Sequence, residues 1–273
     1  MNLIAFLDIM GWSQLIKKNN SFAIDLLLNY SNQIKFNSDY MTDRLNSFLN
    51  FIPMSDSIII TSIDGDKFCS QISYFLFSCF EYSIKQDEAR KFGQLNSKEI
   101  LSAYPLLFRG GVSVEDFTLY QTLIIKDGNL EIQGNTNVTG MGMVNAVGLE
   151  NSEAKGPRVF VEKKFVQELS QNSKIHYIDE YETDKFEILW PIDILLKDQG
   201  SNSENQALSY FLKMYLPAEK MLNYFKADPK VELHYNEFIS LIDRSLMKYF
   251  NGRDDGSPGV LKYESLKESY DRL

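Results

Sequence analysis

Leu3-Ile4-Ala5-Phe6-Leu7-Asp8-Ile9-Met10-Gly11-Trp12-Ser13 is the stretch whose reading decides this chain. Leu3 to Leu7 is continuously apolar, the pattern of a strand covered on both faces. Asp8 closes it. Gly11 then gives a turn, and Ser13 stands where a hydroxyl can cap a new helix. Free amides at such a helix start, beside a metal-binding carboxylate, make a cradle for phosphates. The N-terminal run lacks a basic region and is cut short by Asp8, so it reads as a buried strand rather than a secretory leader.

Working outward, Phe22, Leu26, Leu27, Tyr30 and Ile34 recur at helical spacing. Phe48 to Ile52 and Ile58 to Ile63 read as two strands joined through Pro53-Met54-Ser55-Asp56, a hairpin with Asp56 at its rim. Phe48 is expected to share a strand face with Ile52, and Phe51 to point the other way. A helix covers roughly Lys67 to Phe92, and Leu106 to Val114 is strand-like. Leu123 to Ile132, around Asp127-Gly128, reads as a second hairpin. A helix follows over about Gly140 to Glu150, then a strand from Arg158 to Val161. The order strand, helix, strand, strand, helix, strand predicts an α+β fold of the ferredoxin-like βαββαβ type. Beyond about residue 195 the character changes. A polar stretch from Lys197 to Asn205 leads into two amphipathic segments, Ala207 to Lys226 and Val231 to Phe250. We therefore expect a catalytic domain over 1–195 and a helical C-terminal extension over 196–273.

The chain has 273 residues, 44% apolar and 24% charged, with a net charge of −9. Such an acidic balance argues against duplex DNA as a partner, because a basic face is needed to displace counterions. No apolar run reaches the ~20 residues that a bilayer span needs. Cys69 and Cys79 lie in an apolar helical run without zinc-ligand spacing, which suits buried thiols in a reducing cytoplasm.

Asp8 and Asp56 are the chemical signal. In a ferredoxin-like sheet the first strand lies beside the hairpin, so the two carboxylates converge. Two carboxylates bridging two divalent ions is the arrangement for in-line phosphoryl chemistry, and Mg2+ or Mn2+ suits hard oxygen ligands.

Those segments resemble the catalytic domain of class III nucleotidyl cyclases. The family's first metal Asp lies in a similar Phe-x-Asp-Ile-x-Gly run, and its hairpin Asp matches Asp56. Phe108-Arg109-Gly110-Gly111-Val112-Ser113-Val114-Glu115 and Gly140 to Glu150 resemble the strand and helix that follow, and Ala154 to Val161 resembles the next strand. The likeness spans about the first 165 residues. It implies that Asp8, Asp56 and the backbone carbonyl of Ile9 hold the metals. It implies that Met10, Gly11, Trp12, Ser13 and Arg109 meet the triphosphate, with Ile52 and Asn137 at the base and Phe48 near that pocket.

The departures carry information. Family enzymes that use ATP have a Lys where this chain has Ile52 and an Asp where it has Asn137. They have Asn and Arg where Val144 and Gly148 stand; Asn145 is one residue off, about 100° around a helix. This pattern, with Ala146, Leu149, Glu150, Pro157 and Arg158, is similar to the pyrimidine cyclases of the bacterial anti-phage system called Pycsar. The resemblance implies a homodimer with sites at the interface, UTP converted to cyclic UMP, and a separate effector protein that responds to the product. Cyclic CMP from CTP, a purine product, and a catalytically inactive nucleotide-binding domain remain alternatives. Arg158, His176 and His234 read as structural.

Overall fold

The computed structural model describes residues 1–18, 20–21, 23–24, 47–91, 106–126, 129–152, 154–197, 204–251, 264–265 and 267–268. The helix expected from Phe22 to Ile34 and the Asp127-Gly128 turn lie outside these.

β1 (Leu3–Ile9) is the axis of the molecule. It pairs antiparallel with β3 (Ser57–Ser62) on one side and with β4 (Phe108–Ser113) on the other. β2 (Phe48–Met54) pairs with β3 and forms the sheet edge, which is where Pro53 does no harm to a ladder. With α1 (Trp12–Lys18) and α2 (Gly65–Lys91) as crossovers, the order β2-β3-β1-β4 is that of a split βαββαβ unit. The expected α+β, ferredoxin-like core is present.

The sheet extends further than the sequence suggested. β7 (Val159–Glu162) joins β4 in parallel, and a hairpin of β8 (Ile178–Glu182) and β9 (Lys185–Ile188) completes seven strands. β5 (Thr118–Lys126) and β6 (Asn129–Thr139) form a separate ribbon, much longer than the expected Leu123–Ile132. α3 (Met141–Glu150) crosses β4 and β1 on the face opposite α2. That face is thus partly covered.

Alternation along β1 explains the layering. Leu3, Ala5, Leu7 and Ile9 enter the main core with Phe68, Ile72 and Phe75 of α2. Ile4 and Phe6 face the other way and join Ile52 and Ile59; Asp8 follows in the same phase. β2 departs from simple alternation. A bulge between Phe48 and Asn50 turns Phe48 toward Phe68, with ring centroids 5.8 Å apart, while Phe51 meets Phe75 at 5.7 Å. Both rings therefore lie on the core side, and the expected pairing of Phe48 with the Ile52 face is corrected. An extra residue in a strand resets the pleat by one.

Two short helices, α4 (Lys163–Glu168) and α5 (Gln171–Tyr177), follow β7, and α6 (Asp193–Lys197) follows a 3-10 turn at Trp190–Ile192. α7 (Glu204–Phe225) and α8 (Pro229–Asn251) then pack as an antiparallel pair. Their apolar stripes are buried on their own chain. Phe238 stacks on Trp190 at 5.7 Å and meets Phe80 of α2 edge-on at 5.3 Å. No helix among the described residues is long and apolar enough to cross a membrane. Cys69 and Cys79 are buried free thiols, and burial pushes both well up from the ordinary thiol range.

Close approach of α3 to the sheet depends on Gly111. A Cβ there would lie 2.1 Å from the Ala146 carbonyl oxygen and 2.6 Å from Leu149 Cβ. Gly111→Ala must displace α3, and we expect a loss of about 1–3 kcal/mol, read as a lowered urea midpoint with an unchanged slope.

Candidate active site

Register brings the polar residues together. In the two ladders Asp8 stands directly opposite Ser57 on β3 and Arg109 on β4, so both are cross-strand neighbours on its face. Ser57 Oγ donates to Asp8 Oδ1 at 3.1 Å, and Arg109 Nη2 lies 3.5 Å from Oδ2. Asp56 is the second residue of a two-residue turn between Met54 and Ser57. Ser55 takes the left-handed φ of 59° that lets so short a hairpin close. The Asp56 carbonyl accepts the Ile9 N–H at 2.9 Å, which ties the turn to the end of β1.

Burial pushes the Asp8 carboxyl above its usual range. The bonds from Ser57 and Arg109 oppose that shift, and the nearby Asp56 charge adds to it. Glu150, at the C-terminus of α3, is 5% exposed. Arg109 Nε is in ionic contact with its Oε1, without hydrogen-bond geometry. Burial raises Glu150 first, Arg109 counters, and Asp8 adds repulsion. Arg109 thus bridges two carboxylates, one from the neighbouring strand and one from the helix laid across the sheet.

The other expected residues separate into groups. Met10 donates its N–H to the Leu107 carbonyl at 2.9 Å, and Gly11 makes the turn at φ 73°, a backbone region that favours glycine. The Ile9 side chain lies in the core, 3% exposed, and so does Trp12 at 5%; Ser13 is exposed. Ile52 is packed with Leu119 and Val138 of the ribbon. Asn137 is the neighbour of Val138 on β6 and pairs with Tyr120, so alternation turns it to the ribbon's other face. Val144 and Gly148 are exposed on α3. Arg158, by contrast, is buried between Glu187 and Glu237.

A cavity of about 240 Å3 opens against Asp8, Gly11, Gln14 and Arg109. Its far wall is the first two turns of α8, with Lys230, Val231, His234 and Tyr235. Asp56 stands outside it, on the hairpin side. Sequence reading gave no role to Ser57, Glu150 or Lys230, and it took His234 as structural, whereas His234 lines the cavity. Glu150 lay inside a motif already singled out and Ser57 next to one; Lys230 carried no local signal.

The residues present suit hard divalent cations. Among the described residues no group of three or more His, Cys, Asp or Glu side chains is placed to hold an ion. Two carboxylates whose charges repel each other on one rim are nevertheless the donor set that Mg2+-type ions use when substrate phosphates and water complete the shell.

His234 Nδ1 accepts the Gly156 N–H at 3.0 Å, which leaves its proton on Nε2. Burial lowers its pKa, helped by the charges of Lys155 and Arg109. The unfolded chain therefore binds this proton more readily than the folded one. Stability from this group is full above the ordinary value of 6.5 and falls as pH drops below it, until the folded value is passed. Melting temperatures between pH 7.5 and 5 should fall less steeply in His234→Gln than in the native chain.

Among solved structures, the chain is similar to two adenylate cyclase structures from Trypanosoma brucei, each described as in its monomeric state. One has 13% identity and a TM-score of 0.42, covering 68% of this chain and 87% of that one. The other has 15% identity and a TM-score of 0.40, covering 68% and 86%. No protein-family profile and no curated protein matches the sequence.

Proposed function

We propose that the chain is a class III-type nucleotidyl cyclase that converts a nucleoside triphosphate to its 3′,5′-cyclic monophosphate and pyrophosphate. The observation that carries this is the placing of Asp8 and Asp56 on one rim of a βαββαβ sheet, tied by the Ile9–Asp56 backbone bond and backed by Arg109. Asp8, Asp56 and the Ile9 carbonyl are the groups to hold Mg2+ or Mn2+. When bound, such ions supply Lewis-acid stabilisation of the attacking 3′-oxygen and of the leaving pyrophosphate. Ser57 and Arg109 fix the Asp8 carboxylate in orientation. The Gly11 turn brings backbone close to the phosphates, and Arg109 sets positive charge beside the position where pyrophosphate departs. Glu150 holds Arg109 as well.

A pyrimidine substrate, with UTP before CTP, is the finer reading. It rests on the sequence: Ile52 and Asn137 stand where ATP-using relatives have Lys and Asp, although Ile52 packs with the ribbon and Asn137 lies on the ribbon's other face. In that reading cyclic UMP signals to a separate effector protein in defence against phage. A homodimer with sites at the interface accompanies it. Met141 and Val144, 59% and 60% accessible at the start of α3, offer a small apolar contact for that arrangement. In an equimolar mixture of UTP, CTP, ATP and GTP with Mn2+, we expect UTP to be consumed first. Preferential loss of ATP or GTP would replace the pyrimidine reading with a purine one.

A further inference from the structure

We propose that the C-terminal helix α8 is a wall of the nucleotide site, and that Lys230 binds the polyphosphate of the substrate. This deepens the cyclase reading above and rests on it. The cavity beside Asp8 is open to solvent on one side and closed on the other by the first turns of α8. Lys230 and His234 are one helical turn apart and line the same space as Arg109. Among the described residues Asp8 is the only carboxylate in that lining.

Several features point to a polyanion. The chain as a whole carries −9, yet this cavity collects Arg109 and Lys230, with Lys155 close enough to act on His234. The Lys230 backbone N–H donates to Asp228 Oδ1 at 3.2 Å, while its side chain is exposed and forms no ion pair among the described residues. His234, held by Gly156 through Nδ1, keeps a donor proton on Nε2. Met10, Leu107, Val231 and Tyr235 supply apolar walls between these groups, and low-dielectric walls strengthen charge recognition. At about 240 Å3 the space is smaller than a typical whole-ligand pocket. It suits the phosphates and leaves the base outside.

α8 is also held rigidly enough to serve. Arg158 of the sheet grips Glu237 on α8, Gly156 packs against the same residue, and Arg244 pairs with Asp179 at 2.7 Å. A wall so anchored keeps the start of α8 beside Asp8.

The test is calorimetric titration of the full chain with inorganic tripolyphosphate in MgCl2, using wild type, Lys230→Glu, Lys230→Arg and Lys220→Glu. Lys220 is exposed on α7, outside the cavity. Losing a charge-assisted phosphate contact weakens binding about tenfold or more. We expect that loss in Lys230→Glu alone, with Lys230→Arg and Lys220→Glu close to wild type. Unchanged affinity in Lys230→Glu, or no tripolyphosphate binding by wild type, overturns the proposal. Turnover assays separate the two readings. Cyclic product from wild type with an unchanged KM in Lys230→Glu sinks the α8 proposal and leaves the cyclase. Tripolyphosphate binding that depends on Lys230, without any cyclic product, keeps the phosphate site and sinks the cyclase.

Discussion

Asp8→Asn should abolish triphosphate turnover, by about a thousandfold or more, and leave the protein at least as stable as before. The two halves of that expectation have one origin. Asp8 is placed by strand register between Ser57 and Arg109, and burial raises its carboxyl. A raised carboxyl means that the ionised form is less favourable in the fold than in the unfolded chain. The resulting destabilisation is absent well below the ordinary value of 3.8, grows as pH passes from there through the folded value, and is complete at neutral pH. Asparagine keeps the shape and removes the charge, so the melting temperature without metal should hold or rise. The same charge is what a divalent ion needs. Losing several kcal/mol of metal-derived stabilisation corresponds to about three powers of ten in rate. Melting curves with and without Mn2+ check this directly: stabilisation by Mn2+ should be present in the native chain and lost in Asp8→Asn. A destabilised Asp8→Asn that still turns over would contradict both halves.

Arg158→Met should be the most damaging single change to the fold. Arg158 is 3% exposed and Glu187 is fully buried; two guanidinium hydrogen bonds join them at 2.7 and 3.0 Å. The guanidinium also lies 4.5 Å from the Tyr181 ring centre and reaches Glu237 on α8. Removing one partner of a buried pair leaves a charge without compensation, typically about 3–5 kcal/mol. Arg244 still meets Glu187, so the lower end is expected here. For a chain of this size that is a fall of about 6–12 °C in Tm. Glu237→Gln removes only the half-buried arm of the network and should cost under about 1 kcal/mol. Thermal unfolding of the two variants side by side checks the ranking; equal losses would mean that the buried arm contributes nothing special.

Much of the core was legible because its signals are local. Leu3–Leu7 could only be a covered strand, and an Asp at its end followed by Gly11 marked a rim. The Pro53–Asp56 connection between two apolar runs identified the hairpin, and Gly140–Glu150 had a helical pattern with a clear start. What stayed hidden depends on distance in the chain. The contact of Arg109 with Glu150 needs α3 laid across β4, which hangs on Gly111 having no side chain. β8 and β9 are short and charge-rich, with Ile-Asp-Glu-Tyr-Glu and Lys-Phe-Glu-Ile offering no alternation strong enough to read. The bulge that turns Phe48 to the core leaves no trace in apolar periodicity. The wall of the cavity comes from α8, more than 200 residues beyond Asp8 in sequence, and amphipathic spacing shows that a helix packs without showing where.

The mass of the product decides whether the chain is a nucleotidyl cyclase. Purified protein is incubated with Mn2+ and each of the four ribonucleoside triphosphates in turn. A cyclase yields a 3′,5′-cyclic monophosphate with release of pyrophosphate, and we expect cyclic UMP from UTP foremost. Folded protein that yields no cyclic nucleotide from any of the four would contradict the cyclase reading.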